Sequence, residues 1–157
     1  MKLKIYIETS VVSYLTSRTH RDLIIAGQQQ LTRAWWESGA QNHELYCSYV
    51  VWEEAARGDH EAATKRLACL ESLPEIPVTD ATIELADLLL KAGALPVEAF
   101  ADALHVAVCA TNGIDILVTW NCKHIANVTM YDVIDRVCRE AGYEPPRICT
   151  PVELWGV

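Results

Sequence analysis

The chain opens with Lys2-Leu-Lys-Ile-Tyr-Ile-Glu8, where polar and apolar residues alternate before the run turns apolar, the pattern of a strand. Thr9 or Ser10 stands where a cap for the next segment belongs. Over residues 21–38 the positions Leu23, Ala26, Leu31, Ala34 and Trp35 fall on one side of a helix that Gly39 ends. Residues 44–47 predict a second strand. Ser48 caps a helix that runs through Glu53 to Arg57 and closes at Gly58. Residues 60–72 read as a helix and 75–78 as a third strand, after which Thr79 or Asp80 caps a helix to Lys91. Pro96 starts a helix over 97–111, ended by Asn112-Gly113. Residues 115–119 are short and continuously apolar, as suits a strand buried on both faces. A helix over 130–141 stops at Gly142, Pro145-Pro146 turn the chain, and residues 147–150 supply a further strand. Thr150-Pro151 then caps a last helical turn.

Strands alternating with helices predict an α/β fold, a mostly parallel four- or five-stranded sheet with helices on both faces. With 157 residues and no linker, repeat or low-complexity stretch, residues 1–157 read as one domain. Right-handed crossovers would place the functional crevice at the carboxyl ends of the strands.

Charge and cysteine content narrow the chemistry. The net charge is −8, so any nucleic acid must meet local basic residues, or acidic residues gathered to hold cations. Six cysteines stand at 47, 69, 109, 122, 138 and 149, none paired as C-x-x-C, which argues for reduced thiols in a cytoplasmic protein rather than zinc or redox centres. Glu8 breaks the first apolar run, so no signal peptide is expected there, and no apolar run is long enough for a membrane span. Dinucleotide, P-loop and esterase glycine motifs are missing.

Three acidic positions draw attention by their place. Glu8 ends the first strand, Asp102 lies on the helix before the 115–119 strand, and Glu53 follows the second strand. The pattern does not choose between Glu53 and its neighbour Glu54. On the apolar helix after Pro96, the polar residues Glu98, Asp102, His105 and Cys109 make one narrow stripe, and a charged Asp there needs a partner, water or a metal. His105 reads as a hydrogen-bonded core histidine supporting the site. Carboxylates without a His or Cys pair at ligand spacing favour a hard cation, Mg²⁺ or Mn²⁺. Beyond the 115–119 strand, Thr119 and Asn121 offer oxygens to the same crevice, and Lys123 and His124 suit a phosphate. A Ser10–His105–Asp102 triad is disfavoured, because Asp102 and His105 share one helix face.

These landmarks resemble a PIN domain, and more narrowly a VapC-like toxin of a toxin–antitoxin pair. The resemblance rests on Ile5-Tyr-Ile-Glu-Thr-Ser10, Ser48-Tyr-Val-Val-Trp-Glu53, Ala101-Asp-Ala-Leu-His105 with Ala107, and Leu117-Val-Thr-Trp-Asn121. It implies a metal-dependent ribonuclease with an acidic pocket, frequent homodimers and a small inhibiting antitoxin. By position it implies Glu8, Glu53 and Asp102 as catalytic and metal-binding, with Asn121, or by another alignment His124, in the fourth place. Thr9, Ser10, His105, Thr119, Lys123 and His124 would support them. Glu8 stands where the family usually has Asp, and neither Asn121 nor His124 is a carboxylate.

The expected activity is therefore Mg²⁺- or Mn²⁺-dependent cleavage of RNA, with Arg18, Arg21, Lys123 or Arg147 as local cations. The departures at Glu8 and Asn121 motivate an alternative, a PIN-like module that binds a partner or nucleic acid without catalysis, for which Trp35, Trp36 and Trp52 are candidate surface residues. A metal-dependent phosphatase or DNA nuclease built on the same carboxylates is a third reading.

Overall fold

In the computed structural model, which describes residues 1–155, four short parallel strands are laid side by side in the order β2-β1-β3-β4. They are β1 (Lys4–Ile7), β2 (Glu44–Tyr46), β3 (Ile116–Val118) and β4 (Arg147–Cys149). Register pairs Tyr6 with Tyr46 on one side and with Leu117 on the other, and Leu117 with Ile148. Consecutive residues of a strand face opposite sides of the sheet, yet Ile5, Tyr6 and Ile7 are all fully buried. Both faces at β1 are therefore covered, the arrangement expected of a parallel sheet.

Seven helices supply the cover: α1 (Thr9–Thr16), α2 (Leu23–Ser38), α3 (Tyr49–Ala55), α4 (His60–Leu70), α5 (Asp80–Lys91), α6 (Phe100–Thr111) and α7 (Tyr131–Glu140). The chain thus forms a single α/β domain, as expected. The reading of residues 1–157 as one domain extends two residues past those described. α6 buries Ala103, Val106, Ala107, Val108 and Cys109 completely, so it lies at the heart of the core. All six cysteines are free, and burial pushes Cys47 and Cys138 up to about 11 and Cys149 to about 12, so they remain thiols.

Three local expectations change. Residues 75–78 do not make a strand; they contribute a single parallel bridge, Cys47 to Glu75. Ile76 donates its N–H to the Cys47 carbonyl, but Pro77 has no N–H to carry the ladder further. The helix expected from Val97 begins at Phe100, because Pro96 to Ala99 closes a turn through Ala99 N–H to Pro96 O, 2.9 Å. Glu98 therefore leaves the polar stripe, and Asp102 falls in the first turn, where the helix dipole favours an anion. Finally, α1 is capped by Glu8, whose carboxylate accepts the Ser10 N–H, and not by Thr9 or Ser10.

The order β2-β1-β3-β4 means that successive crossovers leave β1 in opposite directions. Ligands in open α/β sheets bind at such a switch point, outside the carboxyl ends of the strands, here those of β1 and β3.

Candidate metal centre

Glu8 is the first residue beyond β1, and Thr119 the first beyond β3. The Glu8 N–H still pairs with Val118 O at 3.1 Å, so the sheet ladder fixes its backbone before the side chain turns into the switch-point crevice. Its carboxylate is 4% exposed as a residue, and Oε2 is held three ways. The Ser10 N–H donates at 3.0 Å, the Thr119 hydroxyl at 2.8 Å, and the Ser10 hydroxyl donates as well. Ser10 Oγ in turn accepts the Trp120 N–H at 2.8 Å, and Thr119 Oγ1 accepts the Asn121 N–H at 2.9 Å. Oε1 receives no hydrogen bond from the described residues; His105 Nε2 lies 3.9 Å from it.

Across the crevice, α3 and α6 carry the second half of the site. His105 on α6 is fully buried, and its Nε2 meets Glu54 Oε1 at 2.6 Å. Its Nδ1 meets the Tyr6 hydroxyl at 2.8 Å, which meets Ser48 Oγ at 2.7 Å. The Thr9 hydroxyl donates to the same Glu54 Oε1 at 2.6 Å. A buried chain of hydrogen bonds therefore runs from the start of α3 through β1 and α6 to Glu54. Ser48 is the N-cap residue of α3, but its hydroxyl serves Tyr6 instead of the helix.

Electrostatics follow from this packing. Burial pushes the Glu54 carboxyl up, but the His105 hydrogen bond and charge, the Thr9 hydroxyl and Arg57 outweigh it and leave it below the ordinary carboxylate range. Burial pushes His105 down, but the Glu54 hydrogen bond and the charges of Glu8, Glu54 and Asp102 outweigh it and raise the imidazole above its ordinary value. Burial above all lifts Tyr6 well above the usual phenol range, so it stays protonated.

Asp102, three residues before His105 on α6, is mostly buried, and its Oδ2 meets His124 Nδ1 at 2.8 Å. The His124 N–H is capped by Asn121 Oδ1 at 3.1 Å.

The structure thus brings Glu8, Glu54 and His105 together, with ligand atoms within 4.8 Å of one another. Thr9, Ser10 and Thr119 donate to these carboxylates. Glu53, the acidic residue expected on α3, points away: the Tyr49 hydroxyl donates to it on the exposed face. Consecutive helical residues lie about 100° apart, so only one of the pair can enter the crevice, and it is Glu54. Asn121, expected to offer its oxygen to the cation, spends Oδ1 capping the turn into His124. Lys123 is exposed on the same turn. Tyr6 and Ser48 were not picked out from the sequence; the hydroxyl of a strand tyrosine beside a helical histidine was their only signal.

Residues 5–121 match the PIN domain family. The chain belongs to that family. It matches no curated protein and no solved structure. PIN domains are in general nucleases and act on nucleic acid, commonly with divalent metals. The donor set of this PIN domain fits such an ion. Each of Glu8, Glu54 and Asp102 has one oxygen anchored by protein groups, while Glu8 Oε1, Glu54 Oε2 and Asp102 Oδ1 accept no hydrogen bond from the described residues. Carboxylate oxygens suit a hard cation. Both nitrogens of His105 are engaged, by Glu54 and Tyr6, so the imidazole holds the Glu54 carboxylate in place. Among the described residues no helix is long and apolar enough to cross a membrane.

Proposed function

We propose that this PIN domain is a Mg²⁺- or Mn²⁺-dependent endoribonuclease, the toxin of a VapC-like toxin–antitoxin pair, working as a homodimer in the cytoplasm and held in check by a small antitoxin. The observation that carries the nuclease reading is the meeting of Glu8, Glu54 and His105, ligand atoms within 4.8 Å of one another, with the carboxylate of Asp102 one turn before His105 on α6. Glu8 and Asp102 would hold the ion, and Glu54 would complete its ligands or orient the attacking water. Glu54 thereby takes the part that the sequence had assigned to Glu53. When bound, the cation supplies Lewis-acid polarisation of the phosphodiester and activation of the attacking water.

The chain's own residues do the rest. Ser10 and Thr119 fix the Glu8 carboxylate, so little reorganisation is needed to receive charge. His105 and Thr9 keep Glu54 ionised, and an ionised carboxylate is the better ligand and the better acceptor of a water proton. His124 meets Asp102, and its chain neighbour Lys123 is exposed, so a cation is at hand near Asp102. The acidic balance of the chain suits this division, since the cation rather than the protein meets the phosphate.

One observation favours a second reading, the non-catalytic binding module. Of the two residues that the resemblance offers for the fourth place, His124 engages Asp102 and Asn121 caps a turn, and neither adds a carboxylate. Titration of Mn²⁺ into chelator-stripped protein separates the two. Saturable binding that Asp102→Ala abolishes, with metal-dependent RNA cleavage lost in the same variant, supports the nuclease. Absence of Mn²⁺ binding in the wild type sinks it and leaves the binding module.

A further inference from the structure

The connection from α5 to α6 and the segment after β3 face each other across an open cleft of about 320 Å³, within the size range of small-ligand sites. Leu95 and Pro96 line it from one side and Met130 from the other, with Lys123 and His124 completing it. Gly93, which ends α5 at φ +74, lets the chain reverse into this wall, a backbone conformation that glycine adopts without strain.

His124 belongs to both places. Its Nδ1 meets Asp102 Oδ2 at 2.8 Å, so the cleft starts where the carboxylate cluster ends. Lys123 lines the cleft next to His124, is exposed, and makes no ion pair among the described residues. A free cation and a strip of apolar surface, next to a site built for phosphodiester chemistry, match the two halves of a nucleotide.

We propose that this cleft seats one unpaired nucleotide of the RNA strand beside the scissile bond, its base against Leu95, Pro96 and Met130 and its phosphate at Lys123. The proposal rests on the nuclease reading for the identity of the strand. A base inside a duplex has its faces covered by its neighbours and cannot enter, so the cleft selects single-stranded segments. It does not select the base. Asn127 also lines the cleft, but its Oδ1 accepts from the Thr129 N–H and hydroxyl and its Nδ2 donates to Lys123 O. One Nδ2 hydrogen of Asn127 stays free, and a lone donor finds an acceptor on every base.

The test uses the whole protein with two probes, adenosine 5′-monophosphate and inorganic phosphate, followed by backbone amide NMR. The monophosphate is expected to move the amides of Leu95, Lys123 and Met130, and phosphate alone to move Lys123 only. Lys123→Ala and Met130→Glu should each weaken the monophosphate about tenfold, the size of one lost charged or apolar contact. In RNA cleavage they should raise KM and leave kcat unchanged. Unmoved amides in the wild type, or equal affinity in Met130→Glu, overturn the subsite. Mn²⁺ titration of the same samples keeps the two ideas apart. Metal binding with no nucleotide response refutes the cleft alone, and nucleotide binding without metal binding refutes the nuclease alone.

Discussion

His105 Nε2 lies 2.6 Å from Glu54 Oε1, joining a fully buried ring on α6 to a carboxylate at the end of α3. The contact settles which of two adjacent acidic residues serves the crevice. Glu54 is held between His105 and Thr9, and Glu53 accepts only from Tyr49 on the exposed face.

Exchange of the two glutamates gives a sharp contrast. Glu54→Gln should weaken Mn²⁺ binding by more than ~100-fold, exceeding the effect of removing an outer partner. Glu53→Gln should change affinity and activity by about twofold at most, as surface substitutions do. Calorimetric Mn²⁺ titration of both variants decides it; equal effects would return Glu53 to the site.

The hydroxyls behind Glu8 define the next expectation. Ser10→Ala and Thr119→Val each remove a donor to Oε2 while leaving the carboxylate in place. Metal affinity should fall ~10–100-fold in each, the usual effect of outer-sphere partners. Mn²⁺ affinities equal to wild type would show that the Glu8 carboxylate is placed by the backbone alone.

Saturating Mn²⁺ should raise the melting temperature. At a hundred times Kd the gain is about 2.7 kcal/mol, on the order of 5–10 °C for a chain of this length. Asp102→Ala should abolish the rise without removing the transition itself. A shift of equal size in the variant would place the ion elsewhere.

The legibility of this protein from sequence was uneven for physical reasons. α2, β1 and β3 carry strong period and length signals, and the parallel α/β class follows from them. α1 does not: Thr-Ser-Val-Val-Ser-Tyr-Leu-Thr has weak helix propensity, and it is packing of Val11 and Val12 in the core that makes it helical. Residues 75–78 look like a strand until the absent N–H of Pro77 is counted. Glu8, Asp102 and His105 could be placed because strand ends and an apolar helix leave few alternatives. Glu53 and Glu54 could not be told apart, since α3 spans only Tyr49–Ala55, under two turns, too short for a face to declare itself.

Acidity should act through the His105–Glu54 pair in two directions. His105 has a raised pKa in the folded protein, so its contribution to stability is full below the unfolded value and is lost as pH rises through the folded one. Glu54 has a lowered pKa, so its contribution is present above the ordinary carboxylate range and is lost as pH falls through the folded value. Chelator-treated protein should therefore be most stable between these limits, in the mildly acidic to neutral region. Glu54→Gln should flatten the melting-temperature profile on both sides; an unchanged profile would mean that other groups control it.

Tyr6→Phe removes one hydroxyl between Ser48 and His105. Leaving those groups unpaired in the core should cost about 1–3 kcal/mol, a fall in melting temperature of several degrees. Mn²⁺ affinity should drop as well, because His105 then loses the partner that orients it toward Glu54. In a Glu54→Gln background the same change should leave metal affinity alone, and an effect that persists there would rule out transmission through Glu54.

Glu8 and Thr119 are 111 positions apart in the chain, yet one hydrogen bond joins them. Closing so long a loop is slow, and contacts of this span belong to the later stages of folding. On a ribosome the first strand emerges long before the third. A nascent chain has no second wall for the Glu8 carboxylate until β3 has left the exit tunnel and docked. The pocket around Glu8 is thus withheld until β3 has been made, and whatever chemistry it supports cannot precede that docking.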